Sequence, residues 1–131
     1  MIFEKRHVLK ILKMKKGKLD GWAELGFYDT EGKTKKPERT IRTFSEIDIY
    51  ALAIMEALIK DTGMKRQIAS RIAKAWRAAA LVDGYQELFR HHLTGGNFVI
   101  IINAVKILKP IKERIDTFYS KDESEQGTCQ N

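Results

Sequence analysis

Eight cations are spaced so that they could act together. Lys15, Lys16 and Lys18 fall within four positions, and Lys33, Lys35, Lys36, Arg39 and Arg42 within ten. An ammonium or guanidinium group on a flexible stem suits phosphate oxygens, to which it offers both hydrogen-bond donors and counter-charge. Other chemistry is poorly provided for. His91 and His92 are adjacent, so on a strand they point to opposite faces, and no further His, Cys or paired carboxylate is spaced to complete a metal site with them. His7 stands alone, and Cys129, the single cysteine, lies in a polar tail where it can form neither a disulfide nor a thiolate metal site within the chain. Gly95 and Gly96 are better used as a turn than as a phosphate loop, and no nucleophile sits in a recognisable constellation. The expectation is a protein that is not an enzyme and needs no metal or cofactor.

The 131 residues carry 24 Lys+Arg against 17 Asp+Glu, a net charge of +7, which favours a polyanionic partner. The excess belongs to the first third: residues 1–42 hold 12 Lys+Arg and 6 Asp+Glu, whereas residues 121–131 hold 1 and 3. The start, Met-Ile-Phe-Glu-Lys-Arg-His, lacks the apolar core of a signal peptide, and no apolar run approaches the 18 or so residues that span a bilayer. A cytoplasmic protein with no membrane partner is expected.

The elements that must position these cations can be read from spacing. Val8, Leu9, Ile11 and Leu12 among Lys5, Arg6, Lys10 and Lys13 suit a short amphipathic helix, broken by Lys-Lys-Gly-Lys. A second helix is expected from about Gly17, burying Leu19, Trp22 and Ala23, with Gly26 at its weakening end. Trp22 is expected in the core. Residues 29–40 hold no apolar residue but Pro37 and read as a solvated loop, after which Thr40 to Phe44 fit the return strand of a small hairpin.

Ser45, with Asp48 three residues on, offers a capping box to a helix that is apolar almost all round, and so should be central, until Gly63 ends it. A fourth helix from near Met64 to Asp83-Gly84 would bury Met64, Ile68, Ile72 and Ala75. Two β-prone runs then flank Thr94-Gly95-Gly96-Asn97, a hairpin in which Phe98 to Ile102 should be the better-buried strand. Asn103 can cap a last helix, which Pro110 should kink or split. Beyond Ser120 nothing is left to bury and disorder is expected.

The resulting fold class is mainly α with small β: a winged helix-turn-helix followed by a β-hairpin and a C-terminal helix. Residues 1–83 would form the first unit, residues 84–120 a possible dimerisation module, and residues 121–131 a tail. Two short helices, a basic loop with a return strand, and a capped central helix form a device that can read duplex DNA. One helix enters the major groove while flanking cations hold phosphates.

Over about residues 6–75 the chain resembles the MerR-like winged helix-turn-helix DNA-binding family. Ile41, Arg42, Phe44, Ser45 and Asp48 match its return strand and cap, Leu19 and Trp22 its buried second-helix positions, and Gly-Met-Lys-Arg-Gln-Ile from Gly63 its next helix. Asp20, Gly21 and Trp22 stand where the family has Arg-Tyr-Tyr, and no heptad-patterned helix follows to make its coiled coil. The resemblance implies sequence-specific binding of double-stranded DNA by a transcription regulator, without a recognisable effector-sensing domain; the family's coiled-coil dimer does not carry over, and the homodimer expected here rests on the hairpin and terminal helix of residues 84–120. Lys15, Lys16 and Lys18 would meet phosphate or base edges, and Lys33, Lys35, Lys36, Arg39 and Arg42 would grip the backbone. Two alternatives remain: a module that binds a protein partner on the same scaffold, as chaperone-modulating relatives do, and a phage excisionase-like architectural factor.

Overall fold

The central helix begins at a polar junction. In α3, Glu46–Thr62, the Ser45 N–H donates to the Asp48 carboxylate at 2.9 Å and the Asp48 N–H donates to Ser45 Oγ at 3.2 Å. This reciprocal pair satisfies two donors near the start of the helix. Gly63, with φ of 72°, ends α3 in the left-handed conformation that only glycine adopts without steric cost. Between the caps, Ile49, Leu52, Ile54 and Met55 are buried, as a helix apolar on nearly all sides requires.

The structure, a computed structural model, describes residues 2–30, 32–36 and 39–129, with side chains described for 2–30, 32 and 41–120. Around α3 stand β1 (Phe3–Glu4), α1 (Lys5–Leu12), α2 (Lys16–Glu24), β2 (Gly32–Lys36), β3 (Arg39–Phe44), α4 (Arg66–Asp83), β4 (Leu88–His92), β5 (Val99–Asn103) and α5 (Ala104–Cys129). The chain is therefore mainly helical, with two small antiparallel sheets ordered β1-β3-β2 and β4-β5.

α4 lies along α3 in the most extensive helix contact of the fold. Its buried stripe is Ala69, Ile72, Ala73, Trp76 and Ala80, whereas Ile68 is exposed. Of the expected stripe of Met64, Ile68, Ile72 and Ala75, Ile72 is buried, Met64 and Ala75 are half-buried, and Ile68 is turned outward. Trp76 of this stripe stands edge-on to Tyr50 of α3 at 6.5 Å and to Tyr85 at 5.8 Å.

Residues 29–40 are not a simple loop. Gly32 to Lys36 pair with Thr43 to Arg39 across an antiparallel ladder, from Gly32↔Thr43 to Lys36↔Arg39. A polar strand gives no alternating apolar signal, which is why the first strand escapes a reading by pattern. Gly32 has a further reason to be glycine, since a Cβ there would overlap the Thr43 side chain. β1, only two residues long, pairs with the other side of β3 and sets Phe3 opposite Phe44, both buried.

The second hairpin forms as expected, and β5 is its better-buried strand, though only on one face. Ile102 is buried and Ile100 half-buried, whereas Phe98 is 71% exposed and Ile101 60%. A continuous apolar run suggests burial on both faces, but this two-stranded sheet has helices on one face only, and successive residues alternate between them. α5 is not split by Pro110, which lies on its exposed side while Leu108, Ile111 and Ile115 are buried. It continues past Ser120 to Cys129. Tyr119 Oη donates to Glu46 Oε1 at 2.8 Å, and Arg114 Nη1 donates to the Ile11 carbonyl at 2.9 Å, joining α5 to α3 and to the end of α1.

Asp48 does more than cap. It is 1% exposed, and Arg77 Nε of α4 lies 2.6 Å from its Oδ1. Replacing Asp48 with Ala leaves the Arg77 guanidinium without its buried counter-charge, and we expect a loss of about 3–5 kcal/mol in denaturant unfolding. Ser45→Ala, which removes only the cap, should cost about 1 kcal/mol in the same measurement.

Candidate nucleic-acid interface

The turn between α1 and α2 is short because Met14 is used as core. Lys13 takes a left-handed conformation with φ of 54°, the Met14 N–H donates to the Leu9 carbonyl at 3.0 Å, and the Met14 side chain is buried. The flanking residues Lys13, Lys15, Lys16, Gly17 and Lys18 are all exposed. Lys15 is the N-cap of α2 and no side chain caps the helix, whose first intrahelical bonds run from the Lys18 and Leu19 N–H groups to the Lys15 carbonyl. The N–H groups of Lys16 and Gly17 precede those bonds and are open to an acceptor. Free donors, the positive end of the helix dipole and two lysine ammonium groups coincide there, an arrangement suited to phosphate.

Lys18 differs from its neighbours. Its Nζ lies 3.7 Å from Glu56 Oε1 and 5.2 Å from the centre of the Trp22 ring, so it leans towards α3. Leu19 and Trp22 are buried as expected, and Ala23 is half-buried. Asp20, on the same helix, forms an ion pair with Lys5 of α1. The carboxylate that would repel an anionic partner is therefore matched by a cation from its own chain.

The hairpin contributes the second group of cations. Its ladder pairs Lys33 with Arg42, Lys35 with Thr40 and Lys36 with Arg39, so all five expected cations belong to two bonded strands. The side chains of Lys33, Lys35, Lys36 and Arg39 lie outside the described residues. Arg42 is half-buried.

Tyr28 connects the two groups. Its ring is 6.0 Å from Phe44 at the end of β3. Burial pushes the phenol up to about 12, the nearby Arg42 guanidinium pulls it back, and the Asp20 carboxylate raises it further. Asp20 of α2 and Arg42 of β3 are thus both within electrostatic range of one hydroxyl. From behind, α4 fixes the connecting segment: Ser70 Oγ donates to the Phe27 carbonyl and Lys74 Nζ to the Gly26 carbonyl, each at 2.6 Å. Sequence reading did not single out Tyr28, Ser70 or Lys74 for this role, because each acts across a long separation in the chain.

A second basic region also went unremarked. Arg6, Lys10, Lys13 and Arg114 line an open groove of about 750 Å³ between α1 and α5. Arg6 and Lys10, four apart, share one face of α1, and Lys13 follows as its left-handed C-cap. The arrival of Arg114 was not visible in the sequence. The histidines serve packing: His7 Nδ1 accepts from the Glu4 N–H and its ring lies 4.7 Å from Phe118, while His91 stacks on Phe89. Among the described residues no group of three or more His, Cys, Asp or Glu side chains could hold a metal, and no helix is long and apolar enough to cross a membrane. No family model matches the chain, and no curated protein matches it.

The raised Tyr28 value makes the junction sensitive to alkali. Folding favours the neutral phenol, so its contribution is fully present below pH 10 and is lost as pH rises through about 12. Stability should fall between about pH 9 and about pH 11.5, and Tyr28→Phe should reduce that fall, as measured by urea unfolding at both values.

Proposed function

We propose that this chain binds duplex DNA through a MerR-like winged helix-turn-helix in residues 1–83 and acts as a sequence-specific transcription regulator. The observation that carries this reading is the β2–β3 hairpin, whose strands hold Lys33, Lys35, Lys36, Arg39 and Arg42 directly after the α1–α2 pair and directly before the Ser45 cap. In the proposed mode, α2 enters the major groove by its N-terminal end, with Lys15 and Lys16 at phosphates or base edges, and the hairpin acts as the wing that grips the backbone. Lys18, turned towards Glu56, contributes mainly after that weak surface pair opens. Sequence preference then rests on the remaining face of α2 and on the shape of the duplex as much as on direct contacts.

The rival reading, a protein-interaction module on the same scaffold, drew its support from Asp20 in the reading helix. The ion pair of Asp20 with Lys5 weakens that argument, because the carboxylate is not presented alone. An excisionase-like architectural role remains within the DNA class and would be recognised by strong bending in a circular-permutation assay.

Anisotropy titrations should show the logarithm of affinity falling linearly with the logarithm of salt, by about 0.9 per phosphate neutralised. Lys35→Ala and Lys36→Ala should each reduce that slope by about 1 and weaken binding evenly across sequences. A flat response from about 50 to about 300 mM salt would overturn the proposal. Capture of one stoichiometric protein partner without DNA affinity would decide for the rival. Selection from a random duplex pool would then give the site.

A further inference from the structure

β4 is the strand of the second hairpin that contacts α4 and α5, and β5 is its outer member. The Ala104 N–H donates to the Glu87 carbonyl at 2.8 Å and the Leu93 N–H to the Phe98 carbonyl at 2.9 Å. Bonded pairs in an antiparallel ladder recur at every second residue, so Phe98, Ile100 and Ile102 turn their backbone groups towards β4. The N–H and C=O groups of Val99 and Ile101 and the N–H of Asn103 point the other way, to an edge that no described strand covers, while Asn103 caps α5 with its side chain on the Lys106 N–H and its C=O turned into the helix.

The same residues face outward with their side chains. Val99 is 46% and Ile101 60% exposed, and Phe98 and Val105, just beyond the two ends of the strand, are 71% and 49% exposed. Edge strands are ordinarily protected from pairing by a lysine, a proline, a bulge or an inward charge. β5 reads Val-Ile-Ile-Ile-Asn and has no charge, proline or glycine. In a chain of net charge +7, this edge is a neutral apolar line with the backbone groups of Val99 and Ile101 turned outward.

We propose that β5 is a self-association edge through which two copies of this chain pair antiparallel about a two-fold axis, forming one sheet ordered β4-β5-β5-β4. The register follows from the free groups, which must face each other: Ile101 meets Ile101 of the second copy, and Val99 meets Asn103. About four N–H···O=C bonds close in this way, two between the Ile101 residues and one from each Asn103 N–H to the Val99 carbonyl of the other copy. Carrying the register outward sets Phe98 of one copy beside Ala104 and Val105 of the other, a contact made twice because the interface is isologous. The neutrality of the edge argues for a second copy over a charged partner, since nothing along it calls for a counter-charge and its β-branched row packs best on its like. Neither the edge nor its test involves nucleic acid, so the inference stands apart from the DNA-binding proposal.

Sedimentation velocity on the full chain, from low to high micromolar concentration, should show a reversible monomer–dimer equilibrium. Ile101→Lys, which sets like charges face to face at the axis, should weaken the dimer by about 100-fold or more, and Ile101→Glu likewise. An equimolar mixture of these two variants should recover the dimer, because residue 101 then meets its opposite charge. Val99→Pro puts a ring carbon in place of an outward N–H without touching the ladder to β4 and should also weaken association, with helix content unchanged by circular dichroism. A wild-type chain monomeric throughout, a dimer unaffected by Ile101→Lys, or a Lys/Glu mixture that stays monomeric would each overturn the inference.

Discussion

The carboxylate of Asp48, almost wholly out of water, holds three parts of the chain at once. It accepts the Ser45 N–H at the end of β3, occupies the first turn of α3, and lies 2.6 Å from the Arg77 guanidinium of α4. Coulomb attraction is strong where water is excluded, and so is the cost of leaving either charge alone, which makes the arrangement tolerant of few changes. The angle at which the first hairpin leaves the helical body follows from it. So does the position of five cations relative to α2.

Helices α4 and α5 brace this arrangement from behind in different ways. α4 holds the segment between α2 and the hairpin through Ser70 and Lys74, both bonded to backbone carbonyls. α5 reaches back to α1 through Arg114 and to α3 through Tyr119. Each bond joins residues far apart in the chain, so α1, α2 and the hairpin are referred to one rigid body. A surface that must fit a partner of fixed shape requires such support, because small errors in position remove most of the benefit of pre-placed charge.

Charge is divided between the two ends of the fold. The α1–α2 turn and the first hairpin carry closely spaced cations, whereas the outer strand of the second hairpin carries none. The first hairpin is rich in polar residues by sequence, whereas the second exposes Phe98, Val99 and Ile101. The first suits a hydrated polyanion and the second suits loss of water against an apolar edge. One domain can therefore present two surfaces that do not compete for the same kind of contact.

Local rules determined much of this protein without coordinates. The Ser45–Asp48 box, the left-handed Gly63, the end of α2 near Gly26, and the turn at Gly95-Gly96 all follow from one residue type in one backbone conformation, and each stands where the sequence placed it, whereas the break before α2 falls at Lys13 to Lys15 and Gly17 is helical. Clustering of cations in residues 1–42 was equally legible, since it needs only counting. Tertiary structure alone decided the rest. Which face of α4 is buried depended on its packing against α3. Burial of β5 depended on whether a second layer covers it, and none among the described residues does. The pairing of Asp20 with Lys5, the meeting of Asp20 and Arg42 at Tyr28, and the grip of Arg77 on Asp48 bring together side chains with no fixed relation along the chain. Propensity and periodicity act over a few residues, whereas these contacts exist only once the helices have packed.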